Sequence, residues 1–437
     1  MDASEYFKGK KITVMGIDPE GRGVQDAVFL AQCGALVTVT DLKKEAELGK
    51  SVARLRAYPT ISFTLGEHKL EDFRDRDLIV RAASVPLGSP YLEEARNNNI
   101  DIKTDETLFL SYAPQVVTIG VTGTRGKSTV TELIYAVLQA AGKRSFIGGN
   151  VRGKATLPLL LEVETGDMVV LELDSWKLQG FGEAEISPHV AVFTTFYQDH
   201  LNYYKNDMGA YLADKAKIFL YQSADDVLIL GKQCAPAIIE KYGELIESKT
   251  DVVDEQKLPA DWVLRMPGQH NRYNAALALA ALRALDISDE VSRETFATFA
   301  GVPGRLELIR EREGITVYND NNSTTPEATL AALSVFDPAH TVLIMGGSDK
   351  NLDMGKLLIA IGAVKRVILL AGTGTDRVLE FIEGASVFDN LEQAVKEAFA
   401  AASPGDTILF SPAFASFGMF KNEYDRGDQF VALVEKL

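Results

Sequence analysis

The order of apolar runs in this 437-residue chain predicts an α/β protein built in three blocks. Short apolar segments alternate with stretches of helical spacing along nearly the whole length, and polar or glycine-rich residues follow most of those segments directly. Gly-Val-Pro-Gly at 301–304 punctuates the last third like a domain joint. At about 100–200 residues per domain the length allows two to four domains. A composition of 46% hydrophobic, 24% charged and 8% aromatic residues with a mean hydropathy of zero excludes disordered and fibrous classes.

In the first block, residues 11–16 (KITVMG) form a buried strand, 23–33 have helical spacing, and 36–40 (LVTVT) form a second strand ending at Asp41. A further strand at 77–80 (DLIV) runs into a Pro/Gly-punctuated loop at 81–90. The second block opens with a strand at 116–121 (VVTIGV), a glycine-rich turn and a helix over 128–141. Core strands follow at 168–173 (MVVLEL) and 190–195 (VAVFTT), and an alanine-rich helix at 274–285. The third block carries strands at 315–318, 341–345, 366–371 and 406–410. In open α/β sheets ligands sit at the carboxyl ends of strands, so the polar residues after these runs are where chemistry is expected.

The 45 Lys and Arg against 61 Asp and Glu give a net charge of −16, which argues against a basic track for nucleic acid or anionic lipid. No run approaches the ~18 consecutive apolar residues that span a bilayer, and residues 1–11 lack the apolar core of a signal peptide. Cys33 and Cys234 lie far apart, in no metal-ligand spacing, and read as ordinary buried thiols. A cytoplasmic protein with neither nucleic-acid nor membrane partners is expected. The chain is expected to be a monomer.

The most specific feature is Thr122-Gly123-Thr124-Arg125-Gly126-Lys127-Ser128-Thr129, between a strand and a helix. Glycines let successive backbone N–H groups turn toward a phosphate chain, the helix N-terminus adds a favourable dipole, Lys127 supplies a point charge and Ser128 can ligate Mg²⁺. Position 121 is Val where a strict nucleotide-loop pattern has Gly, yet nucleotide binding is the expectation. Glu172 ends an apolar strand, where a charge is costly without a partner.

With TGTRGKST at 122–129 come GGN at 148–150, LELDSWKL at 171–178, DHLNYY at 199–204, ADKAKIF at 213–219, GQHNRYN at 268–274, GVPGRLE at 301–307, ND at 319–320, MGGSDK at 345–350, and SPAFASF with KN..DRG at 411–427. In content and order these resemble the Mur ligases, across essentially all 437 residues, and most closely the members that add D-glutamate to UDP-N-acetylmuramoyl-L-alanine. The resemblance implies a Rossmann-like domain at 1–105 for the UDP-sugar substrate, a P-loop-type ATPase sheet at 106–302 and a Rossmann-like domain at 303–437 for the amino acid.

It further implies that Gly123, Thr124, Arg125, Gly126, Lys127, Ser128 and Thr129 hold ATP phosphates. Asn271, Asn274, Arg305 and Asp320 would make the adenine, phosphate and ribose contacts. Ser128, Glu172, His200 and Lys215 would hold two Mg²⁺ ions, Lys215 as a carbamate, which turns a cation into an anion of carboxylate geometry. By the same resemblance Lys127, His200 and Lys215 would form the catalytic set, Asp41 and Asn150 would face the UDP-sugar substrate, and Thr324, Lys350 and Ser416 would hold the carboxylates of the amino acid. The reaction so implied is ATP-dependent amide formation through an acyl phosphate, with the third domain swinging on the Gly301–Gly304 joint.

Four positions depart from the pattern. Asp18 replaces a glycine of the first phosphate turn, Ala82-Ala83-Ser84 stand in place of Ser-Pro-Gly, Asn322 replaces a lysine, and Glu423 replaces an apolar residue. The last two make the surroundings of the amino acid more negative. A Mur-type ligase for another amino acid, or a nucleotide-binding relative that has lost catalysis, therefore stand as alternatives.

Overall fold

The computed structural model describes residues 3–17, 21–201 and 203–437, and Asp18 lies outside them. Three sheets organise the chain. The first is wholly parallel in the order β3-β2-β1-β4-β5, from β1 (Lys11–Met15), β2 (Leu36–Asp41), β3 (Ile61–Leu65), β4 (Leu78–Arg81) and β5 (Asp101–Lys103). The second, β11-β10-β9-β6-β8-β7, is also wholly parallel. It uses β6 (Val117–Thr122), β7 (Ser145–Gly149), β8 (Met168–Glu172), β9 (Val190–Phe193), β10 (Val227–Gly231) and β11 (Lys249–Val253).

The third sheet, β12-β13-β17-β14-β15-β16, is parallel except that β12 (Glu307–Arg312) runs antiparallel to β13 (Ile315–Asn319). Its other strands are β14 (Thr341–Gly346), β15 (Arg366–Leu370), β16 (Ser386–Phe388) and β17 (Thr407–Phe410). These assignments establish the expected α/β class with parallel sheets.

Side chains alternate across each strand, so a sheet covered on both faces needs apolar residues at consecutive positions. β14 does this: Val342 and Ile344 enter one core with Ile408 and Phe430, while Leu343 and Met345 enter the opposite core with Leu369 and Leu409. The contacts divide the chain into two compact units, residues 1–260 with 274–295, and residues 261–273 with 296–437. The first unit holds two sheets on a shared core running from Phe7 and Phe29 to Phe193 and Phe219. Cys33 and Cys234 are buried thiols, and no described helix is long and apolar enough to cross a membrane.

Candidate active site

The glycine-rich turn after β6 is folded by its own backbone. Thr124 N donates to Thr195 O (2.7 Å), Arg125 N to Thr195 Oγ1 (2.9 Å), and Thr194 Oγ1 to Arg125 O (2.5 Å), so the end of β9 fixes the loop. Gly123 (φ 140°) and Gly126 (φ 86°) sit where side chains are strained, and a Cβ at either would come within 2.0 Å of Thr194 Oγ1 or 2.4 Å of Asn274 Oδ1. The helix Lys127–Ala140 begins directly after, with its first N–H groups at the loop. Lys127 folds back to donate to Thr124 O (3.3 Å).

Three further predicted residues gather beside this loop. Lys215, on the helix Met208–Ala216, is 1% exposed, and its Nζ donates to Gly123 O (2.9 Å) and approaches Thr122 Oγ1 (3.4 Å). Burial and the charge of Lys127 push its pKa down to about 7. Glu172, at the end of β8, is 4% exposed, and no described donor hydrogen-bonds its carboxylate. His200 adopts a left-handed backbone (φ 52°), its N–H donates to Asp199 Oδ1 (3.0 Å), and its ring packs 4.6 Å from Trp176. Burial, then the cations Lys127 and Lys215, pull the imidazole below its usual range against the opposing pull of Asp199.

A carboxylate on a largely buried residue favours a cation beside it. The carboxylate of Glu172 and the hydroxyl of Ser128 offer the hard oxygen donors that suit Mg²⁺, and these two fit that ion; the imidazole of His200 is a softer donor that adds to them. Among the described residues no three His, Cys, Asp or Glu side chains gather as a metal cluster on their own.

The second feature of this unit is a cavity of about 210 Å³ between the carboxyl ends of β1 and β4 and the start of the helix Ser175–Ala184. Arg22, Arg81, Asp105, Asn150, Trp176 and Lys177 are among its walls. Asn150, a predicted substrate residue, accepts from Arg22 (2.8 Å) and donates its N–H to Glu172 O (2.7 Å), which ties the cavity to the end of β8. Ala82, Ala83 and Ser84 line it as well. Asp41 does not: its carboxylate accepts from Ile17 N (2.8 Å) and Lys43 N (2.8 Å), bracing the end of β2. The sequence reading missed Arg81, Trp176 and Lys177. The signals were an arginine closing an apolar strand, and two side chains inside the motif quoted only for Glu172.

Comparison with known proteins decides the family. The Mur ligase middle domain matches residues 121–244 and the Mur ligase glutamate ligase domain matches residues 304–414. The UDP-N-acetylmuramoylalanine–D-glutamate ligase of Roseiflexus sp. is 37% identical, with 98% of each chain covered. Proteins of the same name from Borreliella afzelii (34%, 99% of each chain) and Geobacillus kaustophilus (32%, 100% of each chain) align as fully. The chain belongs to the Mur ligase family.

Solved structures agree in fold. The MurF ligase of Thermotoga maritima, in complex with ADP, superposes with a TM-score of 0.61 at 16% identity, covering 100% of this chain and 96% of that one. The MurC ligase of the same organism gives 0.60 at 19% identity, covering 98% and 99%. As a Mur ligase the chain is an ATP-dependent ligase of peptidoglycan-precursor synthesis.

The second unit of this Mur ligase gathers the residues expected to meet the amino acid. Lys350 Nζ donates to Thr324 Oγ1 (2.9 Å). Ser348 and Ala415 exchange backbone hydrogen bonds (2.9 and 3.1 Å), and Ala413 N donates to Ser323 O (2.9 Å), so the loops after β13, β14 and β17 are joined. Ser416 is buried in the last of them.

Asp320 is engaged inward: Oδ1 accepts from Leu306 N (3.1 Å) and Oδ2 from Ser411 (2.7 Å), and burial pushes its pKa up to about 6. Arg305 lies within electrostatic reach of it. Asn271 donates to Pro267 O (2.8 Å), and Asn322, in the place of a lysine, donates to Pro303 O (3.1 Å), bracing the 303–304 turn. Glu423 opens the helix Glu423–Lys436.

Proposed function

We propose that this Mur ligase joins D-glutamate to UDP-N-acetylmuramoyl-L-alanine in the cytoplasm. The observation that carries the reading is the convergence of Lys127, Glu172, His200 and buried Lys215 on one glycine-rich loop, beside a cavity walled by Arg22, Arg81 and Asn150. The full-length similarity to ligases of that name supports the choice of amino acid. The three sheets are read as domains at 1–105, 106–302 and 303–437.

The substrate carboxylate attacks the γ-phosphorus of ATP, the bond from that phosphorus to the β,γ-bridging oxygen breaks, and ADP leaves. The amine of the amino acid then adds to the acyl-phosphate carbon, and the tetrahedral intermediate expels phosphate with loss of a proton. Backbone N–H groups of residues 123–129, Arg125 and Lys127 hold the phosphates and oppose the charge that grows during transfer. Asn274, against Gly126, is suited to the nucleotide, and Asn150 to the acyl substrate. Ser128, Glu172, His200 and carbamylated Lys215 would hold two Mg²⁺ ions, which supply charge neutralisation when bound.

A Lys215 amine that is neutral near pH 7 is the form that adds CO₂, releasing a proton to leave a carbamate. Enzyme given ¹³C-bicarbonate should show a carbamate carbon by NMR that Lys215→Ala lacks. That variant should also lose at least about a hundredfold in kcat. Full activity in Lys215→Ala would rule the carbamate out.

The function is tested by incubating the protein with ATP, Mg²⁺ and UDP-N-acetylmuramoyl-L-alanine and following phosphate release across D- and L-amino acids. Release with D-glutamate alone is expected. Release with another amino acid reassigns the specificity, and silence with all of them, despite ATP binding, overturns the ligase activity.

A further inference from the structure

Arg426, on the helix Glu423–Lys436, is 0% exposed and among the largest fully buried side chains of the described residues. Its Nε donates to Asn321 Oδ1 (2.7 Å), and its two terminal nitrogens donate to Asn321 O (3.0 Å) and Phe414 O (3.2 Å). All three acceptors are neutral; the carboxylate of Glu423 on the same helix acts on the guanidinium only through its charge, although a buried guanidinium is ordinarily hydrogen-bonded to a carboxylate or phosphate.

What it holds are two loops of the amino-acid site. Asn321 lies three residues before Thr324, and Phe414 two before Ser416. The helix grips Asn321 a second time, since Asn321 Nδ2 donates to Glu423 O (2.5 Å), and a Cβ at Gly427 would come 3.0 Å from the same amide. The loop after β17 needs such a hold because Ala413 is in the left-handed region (φ 63°), a conformation that persists only when its surroundings enforce it. A planar fork spans Asn321 and Phe414 at once; an ammonium on a flexible stem does not.

We infer that Arg426 is the positioning residue of the amino-acid site, locking the turn that carries Thr324 to the loop that carries Ser416. The inference rests on the assignment of Thr324, Lys350 and Ser416 to the amino acid. It goes beyond that assignment by naming a side chain that shapes the site without touching the substrate.

Steady-state kinetics of Arg426→Lys, Asn321→Ala, their double variant and Lys350→Ala test it in the full-length protein, with each substrate varied in turn. Arg426→Lys and Asn321→Ala should each raise KM for the amino acid by about tenfold or more while KM for UDP-N-acetylmuramoyl-L-alanine stays within about twofold. The double variant should be no worse than either single one, because both break the same lock.

If Lys350→Ala raises the amino-acid KM and Arg426→Lys does not, the inference is overturned while the site assignment stands. An equal rise in KM for all substrates, or full additivity in the double variant, also overturns it. Should Lys350→Ala leave the amino-acid KM unchanged, the site assignment fails and the inference with it. KM for UDP-N-acetylmuramoyl-L-alanine, whose proposed cavity lies in the first unit, together with Tm serves as the check that each variant is folded.

Discussion

Lys177 is buried on the cavity wall between two acids of the helix Asp105–Tyr112, paired with Glu106 and 3.5 Å from Asp105. Lys177 meets both carboxylates in a dry setting while Arg22 acts on Asp105 from farther off, and Glu106 keeps its proton. Burial and the neighbouring Asp105 push Glu106 up to about 8; burial would raise Asp105 too, but Lys177 holds it down at about 2. Between the ordinary glutamate range and pH 8 the folded chain therefore binds a proton that the unfolded chain has lost, and stability falls as pH rises through that window. Glu106→Gln, which cannot titrate, should flatten the dependence of Tm on pH between 5.5 and 8.5; an unchanged slope would show that another group sets it. Lys177→Met strands a buried carboxylate and should cost about 3–5 kcal/mol in urea unfolding. A loss below about 1 kcal/mol would mean that the acids relax to water.

At the scale of elements, the strand-loop-helix after β6 is rigid because its glycines leave no room. Gly126→Ala forces a Cβ toward Asn274 Oδ1 at a φ of 86°, and should raise KM for ATP at least about tenfold while lowering Tm by only a few degrees. A wild-type ATP KM in that variant would show that the loop adapts. This loop was legible in the sequence because glycine, lysine and serine are each demanded by the geometry. The sheets were legible only in their interiors. All ten strands predicted from apolar runs form, and of the seven other strands among the described residues, six are the sheet edges β3, β5, β7, β11, β12 and β16. Most of these edges are half solvated, as in β12 (ELIRER) and β11 (KTDVV), so the continuous apolar run that marks a central strand is missing. β10 (VLILG) is the exception, an interior strand with a plain apolar run. Within the site, residues at strand ends were legible. Arg426 stands in the KN..DRG motif, but what it holds was not legible, because its partners Asn321 and Phe414 lie 105 and 12 residues away and only the fold brings them together.

For the molecule as a whole, the net charge of −16 opposes its own proposed substrates, since ATP, the UDP-sugar and a dicarboxylic amino acid are all anions. Attraction must come from cations placed at the loops, namely Arg125 and Lys127 in the first unit and Lys350 in the second. The two fields differ in range. Charges spread over the surface act across about 30 Å at 10 mM salt but only about 8 Å at 150 mM, whereas contacts between buried or half-buried groups are screened far less. Adding salt should therefore weaken the repulsion more than the attraction. At saturating Mg²⁺-ATP, kcat/KM for UDP-N-acetylmuramoyl-L-alanine should rise by about two- to fivefold between 10 and 150 mM KCl. A fall over the same range would mean that the local cations dominate the approach of the substrate and that the acidic surface has no part in it. Reversing a few exposed acids far from the cavity to lysine should then separate the cases, raising the low-salt rate if the overall field matters and leaving it unchanged if it does not.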